Sequence, residues 1–227
     1  MPQTRIWDIP TRLFHWLLVA CIVAQYVTAE WLDDAMQLHF QIGYFTLGLI
    51  IFRVLWGIVG THYARFSSFV RSPAAVIGYA KTLTDKNSPA YAGHNPLGGY
   101  AVLLLLLMVA LQAVSGLFMT DDVFLDGPYR HLVSDTTLEV MNWLHHNVFN
   151  LLIAVIALHV VAIGYYARYK QQPLVPAMLH GKKPVSSPGI PSSRLLLAIV
   201  VALITAGLVY YALFVAPPAP AADELFY

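Results

Sequence analysis

Nine histidines stand in a chain of 227 residues of which 58% are hydrophobic and only 11% charged, and they are where its chemistry is concentrated. An imidazole inside an apolar run is costly unless it binds something, and neutral imidazole is the commonest protein ligand for metals. His15, His39, His145 with its neighbour His146, and His159 fall within or at the ends of long apolar stretches. His62, His94, His131 and His180 lie in or beside connecting segments, where a solvated surface is the plainer reading.

The stretch WLHHNVFNLLIAVIALHV is the most informative. His145 and His159 are fourteen residues apart, which on a helix returns to within about 40° of the same face after about 21 Å of rise. Two flat haems stacked across a bilayer, one toward each leaflet, need ligands in that relation. His146 and His159 are thirteen residues apart, which turns them roughly 140° from each other. Helical phase therefore favours His145 as the ligand and leaves His146 for a haem edge, a propionate or solvent, although a bend in the helix would reopen the choice.

The elements that must carry these residues follow from hydropathy. Mean hydropathy is +0.63, and the charged fraction is far below the roughly 25% of a soluble domain. Five apolar stretches run at about 13–28, 38–59, 97–118, 144–166 and 195–215, each near the ~20 residues that cross a hydrocarbon core. The expected fold is an all-α integral membrane protein, a four-helix di-haem bundle over residues 1–182. Residues 183–227 add a connector, KPVSSPGIP, flexible by composition, then a fifth transmembrane helix and a short PPAPAA-containing tail. A cleaved leader is the rival reading of the first stretch, but Asp8 spoils the basic start that a leader needs.

Loop charge sets the orientation. Arg5 and Arg12 precede the first stretch; Arg65, Arg71, Lys81 and Lys86 precede the third; Arg168, Lys170, Lys182, Lys183 and Arg194 precede the fifth. The alternate segments are acidic: Glu30, Asp33 and Asp34, then Asp121, Asp122, Asp126, Asp135 and Glu139 against Arg130 alone, then Asp223 and Glu224. Basic loops stay cytoplasmic, which predicts a bacterial inner-membrane protein with its N-terminus inside and its C-terminus in the periplasm. That direction of threading puts His15 level with His159 on the cytoplasmic side, and His39 level with His145 on the periplasmic side. Two axial pairs at two depths result.

Arg53 follows His39 by fourteen residues, on the same face and at the cytoplasmic level. It either pairs with a haem propionate or snorkels to the interface; Arg12 is a second candidate for a propionate or haem edge. Gly43 and Gly48 either leave room for a macrocycle or serve helix contact. The one cysteine, Cys21, lies in an apolar run, which excludes an intramolecular disulfide, a cysteine-ligated cluster and covalent haem attachment. Net charge is +1 with no basic stripe, which leaves no case for nucleic acid.

The segments WDIPTRLFHW, LHFQIGYFTLGLIIFRVLWGIVGTHYARFSSFV, GHNPLGGY and LHHNVFNLLIAVIALHV resemble the prokaryotic cytochrome b561 family, and within it the b-type cytochromes of nickel–iron hydrogenases. The resemblance implies two non-covalent b-type haems, bis-histidine ligation at His15, His39, His145 and His159, and electron exchange with quinone. His94 and Asn95, before the third stretch, are candidates for a quinone pocket, with solvated loop residues as the alternative. The acidic loop from Asp121 to Glu139 suits docking of a basic periplasmic redox protein, a hydrogenase or a c-type cytochrome, and equally suits mere solvation. Three functions stay in view: an electron conduit between quinone and a periplasmic partner, a self-contained quinone-linked oxidoreductase acting on a small species such as superoxide, and a non-redox transporter or assembly subunit.

Overall fold

The computed structural model describes residues 3–86, 90–121 and 125–218. Asp122, Asp223, Glu224 and most of the PPAPAA stretch lie outside the described residues. Eight α-helices are described: α1 (Ile9–Glu30), α2 (Met36–Val59), α3 (Phe66–Phe69), α4 (Pro73–Ala80), α5 (Pro96–Gly116), α6 (Asp135–Arg168), α7 (Leu174–His180) and α8 (Leu195–Tyr210). Five of them, α1, α2, α5, α6 and α8 with the π turn Tyr211–Val215 that extends it, are long and apolar enough to cross a membrane.

Helix starts follow local chemistry more than hydropathy. Helix α1 begins at Ile9, ahead of the apolar stretch, because the Asp8 carboxylate accepts the Thr11 N–H at 2.6 Å and Pro10 fits the first turn. Asn95 does the same for α5, accepting the Gly98 N–H at 2.7 Å ahead of Pro96. Helix α6 starts at Asp135, earlier than the apolar stretch at about 144, since its polar first turns are helix-compatible without being apolar. Its 34 residues span about 51 Å against a hydrocarbon core of about 30 Å, so α6 extends well beyond the lipid.

Helix α2 is the hub. It packs against α1, α5 and α8, and four of the buried clusters cross it, one of them through Leu47. Ile50 meets Met108, Val109 and Leu152; Leu49 meets Phe14 and Cys21; Trp56 meets Ala64, Ala198 and Val201. Leu158, Val161, Leu196 and Leu203 remain exposed on the outside of the bundle, as lipid-facing side chains should be. Gly48 faces α8, where an added Cβ would lie 3.6 Å from Val209, so its role is helix contact.

The basic end is closed by a small cap. Strand β1 (Gln3–Arg5) pairs antiparallel with β2 (Lys182–Pro184). Gly181, in the left-handed region at φ 80°, ends α7 and turns its carbonyl to the Ile6 and Trp7 N–H groups at 2.8 and 3.1 Å. The connector expected to be flexible is packed instead. Val185 and Ile190 are buried, the Ile190 N–H donates to Arg5 O at 2.9 Å, and the Tyr63 hydroxyl donates to Pro188 O at 2.6 Å. Its Ser, Pro and Gly content hid two apolar anchors, of which Val185 joins the Ile6–Trp7–Ala177 cluster. Arg194 then ties the start of α8 to the end of α2 through Val59 O and Gly60 O, each at 3.4 Å.

Asp8 holds this end together. It is 1% exposed, caps α1, and accepts the Trp56 indole N–H at 3.3 Å and the Thr61 hydroxyl. One carboxylate thus joins the start of α1 to the end of α2. Asp8→Ala removes a cap and strands two buried donors, and is expected to cost about 2–4 kcal/mol. A lowered thermal midpoint in detergent, with Asp8→Asn falling between variant and wild type, is the expected reading.

Candidate cofactor site: two histidine pairs

Three helices bring four imidazoles into two pairs. At the acidic end the rings of His39 (α2) and His145 (α6) have centroids 6.4 Å apart, with planes at 75°. Imidazole nitrogens at about 2.0–2.1 Å on either side of one metal ion place ring centres roughly 6 Å apart, so the spacing suits an iron held between them.

The ring tautomers are set by the backbone. His39 Nδ1 lies 3.2 Å from Gln25 O and 3.2 Å from Thr28 Oγ1. His145 Nδ1 lies 3.1 Å from Gln112 O and 3.1 Å from Ser115 Oγ. A carbonyl only accepts, so each Nδ1 donates and each Nε2 keeps its lone pair for a ligand role. The two hydroxyls donate to their own helices, Thr28 to Ala24 O and Ser115 to Leu111 O, which leaves their oxygens able to accept. Gln112 Nε2 also donates to His145 O at 2.7 Å, fastening α5 to α6.

Beside this pair lies a cavity of about 850 Å³ whose lining includes Gly43, Thr46, Gly116, Arg130 and both histidines. That volume is in the roughly 300–1,000 Å³ range of cofactor sites. Both glycines allow close approach: a Cβ at Gly116 would stand 3.2 Å from His145 Cε1, and one at Gly43 3.1 Å from Gln25 Nε2. The donor set and the space therefore fit a bis-histidine haem.

At the basic end His15 (α1) and His159 (α6) are within electrostatic reach of each other. Among the described residues, the buried nitrogens without a hydrogen-bond partner at this end include His15 Nδ1, Arg53 Nη1 and His94 Nδ1. Arg53 is 2% exposed, lies over the Phe66 ring at 4.9 Å and feels the Asp8 carboxylate. It does not snorkel. An unpaired guanidinium nitrogen within electrostatic reach of the His94 imidazole fits a site for an anionic group such as a propionate.

His94 departs from the solvated-loop expectation. Its ring packs between Trp7 and Phe69, with centroids 4.8 and 4.6 Å away. It lies within electrostatic reach of Arg53, Lys183, His15 and His159; burial first, then these charges, pushes it down to about 3, so it is neutral. Lys183 supports the loop from below, donating to Gly93 O at 3.2 Å and lying 5.4 Å from the Trp7 ring. Asn95 is engaged twice, capping α5 and donating to the Tyr166 hydroxyl at 3.0 Å, which makes it a structural residue.

The remaining candidates separate cleanly. His146 is exposed, with Nδ1 on its own helix at Asn142 O, 2.9 Å away, although it also lines the acidic-end cavity. Arg12 donates to Leu179 O and keeps a buried, unpartnered Nε. His62, His131 and His180 are exposed, as expected of surface residues. Sequence reasoning missed Asp8 and the ring-orienting groups Gln25, Thr28, Gln112 and Ser115, whose relation to the histidines crosses between helices and leaves no spacing signal.

The family model for prokaryotic cytochrome b561 matches residues 6–181. The probable Ni/Fe-hydrogenase B-type cytochrome subunit of Azotobacter vinelandii is 27% identical over 138 residues, 49% of this chain and 57% of that protein. Its counterpart in Azotobacter chroococcum mcd 1 is 23% identical over 210 residues, 78% of this chain and 86% of that protein. The probable Ni/Fe-hydrogenase 1 B-type cytochrome subunit of Escherichia coli (strain K12) is 22% identical over 155 residues, 56% of this chain and 66% of that protein. The chain thus spans little more than half the length of the Azotobacter vinelandii relative. No solved structure matches the chain. The family match runs through both histidine pairs and four of the five long apolar helices: the chain belongs to the prokaryotic cytochrome b561 family, membrane b-type cytochromes that carry haem and transport electrons.

Proposed function

We propose that this chain holds two haem b groups, one near each face of a bacterial inner membrane, and carries electrons between quinone and a periplasmic redox partner. The observation that carries the reading is the pairing of four imidazoles from three helices at two levels, one pair 6.4 Å apart with both Nδ1 atoms committed to carbonyls. His39 and His145 would hold the periplasmic-side haem, and His15 and His159 the cytoplasmic-side haem. Each would supply a one-electron ferric/ferrous couple, and ligation by two histidines suits electron transfer over oxygen activation.

The protein's own residues account for the rest. Arg53, buried and with Nη1 unpaired, would bind a propionate of the cytoplasmic-side haem, with the unpartnered Arg12 Nε a second candidate. His94, neutral and with a sealed Nδ1, would hydrogen-bond a quinone oxygen, while Asn95 would fix the loop that presents it. Loop charge favours the basic end in the cytoplasm. The acidic end, with Glu30, Asp33, Asp34, Asp121, Asp126, Asp135 and Glu139, would attract a partner with a basic docking face. The relatives' printed names point to a nickel–iron hydrogenase as that partner; a c-type cytochrome fits the same charge.

Haem content tests the ligand assignment. His159→Ala and His39→Ala should each lose one of two haems, while His146→Ala keeps both. Loss on changing His146, or full content in the other two, contradicts it. His94→Phe should keep both haems yet slow electron exchange with a quinol analogue about tenfold, the effect of one lost hydrogen bond; an unchanged rate removes His94 from the quinone site. Co-purification of hydrogenase from native membranes tests the partner, and capture of a c-type cytochrome alone would replace it.

A further inference from the structure

The α8 helix lies beyond the family match, yet its far end touches Tyr129 and Leu117, and Leu117 lines the acidic-end cavity. Past Tyr210 its winding loosens into the π turn Tyr211–Val215, closed by the Ala216 N–H on Tyr211 O at 2.8 Å. Such turns often mark functional positions. In this one the Ala212 carbonyl accepts the Tyr129 hydroxyl at 2.6 Å. Tyr129 is otherwise held by its N–H on Leu117 O at 3.1 Å and by packing on the buried cluster Leu47, Leu117 and Leu213. Helices α2, α5 and α8 therefore meet at one tyrosine ring.

The next residue is Arg130, which opens a 3₁₀ turn and lines the cavity beside His39 and His145. No other Lys or Arg lines that cavity among the described residues, while Glu30 and Glu139 do. Asp126 Oδ1 lies 3.4 Å from the guanidinium Nε, and Asp126 Oδ2 lies 3.1 Å from His131 Nε2, so Asp126 divides its two oxygens between Arg130 and His131. A carboxylate-bearing ligand in a cavity that also holds two glutamates needs a cation, and guanidinium is the side chain that binds carboxylate in a fork.

We propose that Arg130 binds a propionate of the haem between His39 and His145, and that Tyr129, through the π turn of α8, positions it there. The inference rests on the haem ligation proposed above. A fixed positive charge beside the iron favours the ferrous state, which carries one positive charge fewer.

Spectroelectrochemical titration of the full-length protein in detergent tests this. Arg130→Gln should move one of two haem components to lower potential and leave the other in place, and Arg130→Lys should restore part of the shift. Tyr129→Phe should move the same component in the same direction by less. If Arg130→Gln instead loses one haem while Arg130→Lys retains both, the charge is needed for binding and the proposal stands. Two haems with unchanged potentials in Arg130→Gln overturn the Arg130 assignment alone. A wild-type chain without b-type haem overturns the ligand reading and this inference with it.

Discussion

A histidine in hydrocarbon has two ring nitrogens to satisfy, and the rest of this bundle depends on how that is done. At His39 and His145 one nitrogen is spent on a backbone carbonyl of a neighbouring helix, Gln25 O and Gln112 O. The other is left for a ligand, with the ring held in one tautomer. Each such bond reaches from one helix to the next, so fixing the ring also fixes the pairings of α1 with α2 and of α5 with α6. Packing in lipid gains little from hydrophobicity between helices; polar contacts of this kind and close apolar contact must supply specificity.

The basic end meets the same constraint with charge. Arg53 sits buried in the last turns of α2 with Asp8 near and Phe66 beneath it. Asp8 is itself spread over three donors from α1, α2 and the turn after it. The carboxylate that starts α1 thus also steadies the guanidinium that lies within electrostatic reach of His94. The cap built from β1, α7, β2 and the 185–190 connector closes over this arrangement and holds His94 in it through Trp7. Cap and site are one structure, although the family match over residues 6–181 leaves out β1, β2 and the connector.

Much of this was legible in the residues. The fourteen-residue spacing between His145 and His159 leaves each within reach of a histidine on another helix, His39 and His15, because an α-helix keeps its phase over four turns. Hydropathy located five spans for the same reason that lipid selects them. What it could not find are contacts between helices: Asp8 with Trp56, Tyr129 with Ala212, Thr28 with His39. Loop composition misled twice. The 183–191 connector reads as flexible from its Ser, Pro and Gly, yet Val185 and Ile190 anchor it; His94 reads as a solvated loop residue, yet it packs between Trp7 and Phe69. Hydropathy also puts the start of α6 too late, because polar turns above a membrane carry no apolar signal.

The central claim is that two irons sit in this chain, each between a pair of imidazoles. Haem-to-protein stoichiometry of the oxidised wild-type protein, taken together with its electron paramagnetic resonance spectrum, tests it most directly. The account predicts two haem b per chain, both low-spin ferric as bis-histidine ligation requires. A single haem per chain, or a high-spin signal from an iron with an open axial position, would contradict it.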